Sequence, residues 1–178
     1  MERFDFVVLL NKIPPEGLEN SYEIANPAAA GIALSVPLEG PIVADFDIQR
    51  QGNEIQVTGT VRAAAQLQCS RCLAPFTYTV TGDVDATFAP PAKLVEGDHQ
   101  HELAPDELEV EPLVGGGADL RGVIAEQIHL NLPLKPLCRE DCPGICPHCG
   151  RPGADGPCGC TPSAADSRWE ALKKLKVP

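Results

Sequence analysis

The chain has 178 residues, enough for one domain with a small appendage and a core that needs no disulfide staples. Hydrophobic residues make up 43%, aromatic residues only 4%, and the formal net charge is −11. This balance excludes wholesale disorder, and no apolar run approaches the roughly 18 residues that cross a bilayer.

Met1-Glu2-Arg3-Phe4-Asp5 opens with acids where a secretory leader carries bases, so a cytoplasmic protein is expected. Phe4 to Leu10 is apolar and β-leaning. Ile32 to Val36, after a Gly/Ala/Pro stretch, reads as a further short strand. Ile42 to Ile48 begins another run, and Gln51-Gly52-Asn53 is a turn. Ile55 to Val61 alternates apolar and polar residues as a half-buried strand does, and extends towards Leu67. Phe76 to Phe88 alternates in the same way.

Residues 89–118 then lose periodicity and read as a long acidic loop with a short strand near Leu108 to Val110. From Asp83 to Asp119 there are ten acids and one base, a balance of −9 out of the chain's −11. Leu120, Val123, Ile124 and Ile128 recur at helical spacing, with Asp119 placed to cap a helix running to Leu130. Trp169, Leu172 and Leu175 make the stripe of a second helix, Ala164 to Lys176. The expected class is α+β: a predominantly antiparallel β core, as a sheet or partly open barrel, with two helices and a C-terminal zinc-ribbon-like module. The expected division is a β-rich domain over 1–136 and a cysteine-rich module over 137–178.

The chemistry sits in eight cysteines: Cys69, Cys72, Cys138, Cys142, Cys146, Cys149, Cys158 and Cys160. A reducing compartment disfavours disulfides. The cysteines fall in pairs, and four pairs supply two tetrahedral all-thiolate zinc sites with none left over. In C-x2-C turns, backbone N–H groups point at the first sulfur. Cys158 and Cys160 flank Gly159, so an extended backbone turns both to one side. Pro143, Gly144, Pro147, Pro152, Gly153, Gly156 and Pro157 surround them. Such a stretch builds no core, so two bound structural zinc ions would be its main source of folding energy. The preferred grouping places Cys69, Cys72, Cys138 and Cys142 in one site and Cys146, Cys149, Cys158 and Cys160 in the other. The alternative joins Cys138, Cys142, Cys146 and Cys149, leaving Cys158 and Cys160 for Cys69 and Cys72. A third arrangement leaves Cys69 and Cys72 as free thiols at a strand end.

Four stretches together resemble the YceD family, that of the large ribosomal RNA subunit accumulation protein. They are Cys69-Ser-Arg-Cys72-Leu73-Ala74-Pro75-Phe76, the run from Asp119-Leu120 through Glu126 to Leu132-Pro133, then Pro136-Leu137-Cys138 to Cys149-Gly150, and Asp166-x-Arg168-Trp169-x-x-Leu172. One departure is Arg151-Pro152-Gly153 where an Asn-Leu-Asn-like stretch is common. The resemblance implies zinc on the cysteines, a role in accumulation of large-subunit ribosomal RNA, and no established enzymatic activity.

A zinc- or thiol-dependent enzyme is the first alternative. Redox C-x2-C pairs open helices, whereas Cys69 and Cys72 lie between strands. His99, His101, His129 and His148 form no recognisable catalytic set, and no catalytic residue is assigned. Direct RNA binding is the second alternative. Few aromatics and a charge of −11 oppose it, and Arg71, Arg139, Arg151 and the final helix would carry any contact. A basic protein partner, such as a ribosomal protein or assembly factor, fits the charge better. No membrane and no small-molecule substrate are expected.

Overall fold

In a computed structural model the chain is described over residues 5–90, 110–153, 156 and 158–160. Strands β1 (Val7–Leu9), β2 (Leu18–Ile24), β3 (Ile42–Gln51), β4 (Glu54–Gln68), β5 (Pro75–Ala89), β6 (Val110–Pro112) and β7 (Gly117–Asp119) precede one helix, α1 (Leu120–Leu130). A single 3-10 turn, Leu10–Lys12, follows β1. The second expected helix, Ala164 to Lys176, lies outside the described residues, as does most of the acidic segment. The helix count among the described residues is therefore one α-helix and one 3-10 turn.

The main sheet runs β2-β3-β4-β5-β6, antiparallel from β2 to β5, with β6 parallel to the end of β5. It curls as a half-barrel. Alternation explains why: Ile42, Ala44, Phe46 and Ile48 of β3, with Ile55, Val57, Val61 and Ala63 of β4, all turn inward and are buried. Gly59 marks the tightest point of the curl. A Cβ there would stand 2.0 Å from the Asp45 carbonyl oxygen and 2.9 Å from the Phe46 Cα, so no larger residue fits between these strands. Phe6 stacks on Tyr22 at 5.2 Å between ring centroids, and Tyr22 meets Phe46 at 6.1 Å, joining the N-terminal segment to β2 and β3.

Helix α1 closes the concave face. Leu120, Val123, Ile124 and Ile128 are its buried stripe, as their spacing predicts. The Asp119 side chain accepts the Arg121 backbone N–H at 3.1 Å and caps the first turn. The Arg121 guanidinium also grips that carboxylate and holds its pKa below the usual range. The C-terminal end of α1 rests on β5 at Gly82, where a Cβ would stand 2.6 Å from the Asn131 amide nitrogen. From there the chain runs back along the β4–β5 hairpin to its tip, where the Ser70 N–H bonds the Pro136 carbonyl at 2.8 Å.

Three local expectations change. Residues 32–36 form no strand; Ile32 is buried in the core, but the segment is irregular and its Ser35 N–H donates to His129 Nε2 at 3.1 Å. The short strand expected at Leu108 to Val110 is β6, Val110–Pro112. The ends of the expected acidic loop are structured: Ala89 belongs to β5, and Gly117 and Ala118 belong to β7, which pairs with β1.

Gly59→Ala should cost about 3 kcal/mol because two strand backbones must part to admit one methyl. Denaturant unfolding measures this, and a loss below about 0.5 kcal/mol would show that β3 and β4 are not locked there.

Candidate metal centres

The β4–β5 hairpin pairs in register from Ile55↔Phe88 to Gln68↔Pro75, and its six-residue tip carries the first two cysteines. The outer half of β4 runs beyond β3. Residues 37–39 brace it instead, through Glu39 N–H to Ala64 and Gln66 N–H to Pro37 at 2.8 and 2.9 Å. The Glu39 carboxylate also accepts from the Thr77 hydroxyl at 2.6 Å across the hairpin. The tip is thus held by ladder bonds on both flanks.

At the tip, the Leu73 N–H donates to the Cys69 carbonyl at 2.9 Å, and Leu73 takes a left-handed backbone with φ 60°. The C-terminal knuckle repeats this geometry: the Gly150 N–H donates to the Cys146 carbonyl at 2.9 Å, and Gly150 has φ 71°. Each C-x2-C pair is therefore closed by a following residue with positive φ. Glycine adopts that conformation freely, whereas leucine pays about 1–2 kcal/mol. Leu73 is 52% exposed, so core packing does not account for it.

The eight cysteines converge in two sets. The sulfurs of Cys69, Cys72, Cys138 and Cys142 all lie within 4.8 Å of one another, and so do those of Cys146, Cys149, Cys158 and Cys160. Cys69 to Cys142 and Cys72 to Cys138 are each 3.8 Å between sulfurs. A disulfide needs about 2.05 Å. A tetrahedron of sulfurs about 2.3 Å from a central ion has edges of about 3.8 Å. Each set could hold a metal ion, with all four positions filled by sulfur.

The two sets sit in opposite surroundings. In the first, Cys69 and Cys72 are fully buried and Cys142 is 2% exposed, against Ala74, Phe76 and Leu137. Arg71 ties the knuckles together, donating to the Glu140 and Cys142 carbonyls at 3.1 and 3.0 Å. This clamp role is not announced by the sequence, where Arg71 reads as a candidate RNA contact. In the second set, Cys149 and Cys160 are exposed and the other two half-buried. It is framed by a short ribbon: Cys146 N–H to Arg151, Gly153 N–H to Gly144, and an Ile145↔Pro152 bridge. Arg139 links the sets, donating to the Gly153 carbonyl at 3.2 Å.

Electrostatics differ from sulfur to sulfur. Burial acts to raise the Cys69 pKa, but the backbone N–H groups of Cys138, Cys72 and Arg71 outweigh it and bring the thiol down to about 6. The N–H groups of Cys149 and His148 likewise lower Cys146 to about 6. Burial, then the neighbouring sulfurs, pushes Cys138 up to about 12. The Gly144 N–H pulls Cys142 down, yet burial and the Cys72 and Cys69 sulfurs leave it raised. Cys149 and Cys158 beside it push Cys160 up to about 12. In each set one knuckle sulfur is lowered and at least one other is raised, and a divalent cation would supply charge that compensates several thiolates.

A family model described as "Large ribosomal RNA subunit accumulation protein YceD" matches residues 57–176, which include all eight cysteines. The chain belongs to the YceD family. Uncharacterized proteins of Mycobacterium bovis and Mycobacterium tuberculosis are 32% identical over 173 residues, covering 97% of this chain and 80% of theirs. An uncharacterized protein of Mycobacterium leprae is 30% identical over 152 residues, covering 85% of this YceD-family chain and 67% of its own length. No solved structure matches. No helix among the described residues is long and apolar enough to cross a membrane.

Native mass spectrometry should count two metal ions per chain, and Cys158→Ser should retain one. Loss of both ions in that variant would mean the sets are not independent. Leu73→Val should lower stability by about 1 kcal/mol, since a β-branched residue tolerates positive φ least, while Leu73→Gly should be nearly neutral. Equal effects in denaturant melts would remove the strain from Leu73.

Proposed function

We propose that this protein is a non-enzymatic factor, bearing two structural zinc ions, that supports accumulation of large-subunit ribosomal RNA through its synthesis, processing or assembly. The family match over 57–176 carries this reading. All-sulfur coordination supports a structural ion, because catalytic zinc keeps a position open for water or substrate. Zinc is the natural occupant of tetrahedral thiolate sets that need no redox change.

The partner proposed is a basic protein, such as a ribosomal protein or assembly factor. The convex face of the sheet supports it. Cross-strand register places Glu19, Asp47, Thr58 and Asp85 in one row, and Ser21, Asp45, Thr60 and Asp83 in the next. Glu19 and Asp47 are like charges directly opposite each other, an arrangement that costs stability. Arg62 is the one base on this face of β2–β5, against the acids Glu19, Glu23, Asp45, Asp47, Glu54, Asp83 and Asp85. Such a surface repels phosphate and attracts lysine and arginine. The proposed compartment is the cytoplasm, where ribosomal RNA is made and assembled in bacteria.

Deletion of the gene should lower large-subunit RNA relative to small-subunit RNA, measured by quantitative RNA gels. Restoring the intact chain should recover the ratio, and the Cys69→Ser variant should not. Equal loss of both RNAs, or no change, would overturn the proposal.

A further inference from the structure

We infer that the second cysteine set is a reversible thiol-oxidation site, while the first is a permanent structural lock. The inference rests on the reading that both sets hold zinc. The contrast between their surroundings carries it. Cys69, Cys72 and Cys142 are buried, and Ala74, Phe76 and Leu137 pack around them. An oxidant reaches those sulfurs only if the hairpin tip and the 137–142 segment separate. Cys149 and Cys160, by contrast, are both exposed, on neighbouring sides of one set whose sulfurs lie within 4.8 Å. A groove of about 420 Å³ beside them is lined by Arg139, Ile145, Pro147 and Arg151 and reaches the other two ligands, Cys146 and Cys158. Cys149 and Cys160 are thus open to a small peroxide, and the groove leads it to Cys146 and Cys158.

The chemistry balances with a hydroperoxide as the two-electron oxidant. Two zinc-bound thiolates, Cys149 and Cys160, give up two electrons and form one disulfide. Hydrogen peroxide takes those electrons and two protons and leaves as two waters. The zinc ion, left with two sulfur ligands, departs. Thiol reductant and zinc reverse the step.

The fold gives the event a local consequence. The second set is framed by a few ribbon bonds and sits outside the buried clusters of the described residues. Losing its ion therefore releases the ribbon over 144–153. The sheet, α1 and the first set share none of its ligands and stay folded. Oxidation would thus loosen the second set's ribbon and leave the sheet, α1 and the first set in place.

The test uses the full chain loaded with two zinc ions, treated with hydrogen peroxide, with release followed by a chromogenic zinc indicator. One ion should leave, and the second should leave at least about tenfold more slowly. Peptide mapping should find a Cys149–Cys160 disulfide, with Cys69, Cys72, Cys138 and Cys142 still alkylatable after denaturation. Cys158→Ser should abolish the fast phase; the mapping on the unaltered chain stands even if that variant folds poorly. Both ions leaving together, a disulfide within the first set, or no release would overturn the inference while leaving the two-zinc reading intact. A purified chain with no zinc before oxidant is added overturns both.

Discussion

Strands β4 and β5 run fifteen residues each, and one unbroken register carries them from the core to the knuckle. At the lower end, Ile55, Val57 and Phe88 are buried against α1 and β3. At the upper end, Cys69 and Cys72 face Cys138 and Cys142. Because strand side chains alternate, a slip of one residue would turn the apolar row to solvent and displace both sulfurs together. Hydrophobic burial thus sets the aim of the tip sulfurs from a distance. The ladder transmits it, with Glu39 and the 37–39 segment holding the part that β3 does not reach.

The two sulfur sets divide the labour of holding the chain. The first joins residues 73 positions apart in sequence and is itself a small buried core. The second gathers residues within a short span rich in proline and glycine, where little else opposes chain entropy. With a divalent ion each all-thiolate centre carries about −2, which adds to the acids of the convex sheet face. The first set ties residues 138–142 to the hairpin tip, and the second gathers only its own neighbours.

Much of this was legible in the residues. Alternation marks β4 and β5, and late alternation marks β3, while helical spacing marks α1 with its Asp119 cap, because in each case one face meets the core. Paired cysteines marked the sites, and their preferred grouping is the one in which the sulfurs meet. What stayed hidden depends on partners rather than on local pattern. Strand β2 shows its inward row only through Tyr22 and Ile24, with Asn20 interrupting it. Strand β7 is Gly-Ala-Asp and owes its place to backbone pairing with β1, which leaves no side-chain signal. Ile32 to Val36 has strand composition, but Ile32 serves as a core plug at the end of a turn-rich loop. Positive φ is advertised by glycine at Gly150 and concealed by leucine at Leu73.

The separation between Cys69 and Cys142 also orders events in time. A ribosome adds roughly 5–20 residues per second, so the 73 residues between them take roughly 4–15 s to appear. During that interval the β4–β5 hairpin can form, yet its tip holds two thiols and no completed set of four. The first centre closes only after α1 and the segment that follows it have been synthesised. On the proposed reading that this set holds zinc, ion capture there registers that the chain has been made through Cys142, and its thiols must stay reduced until then.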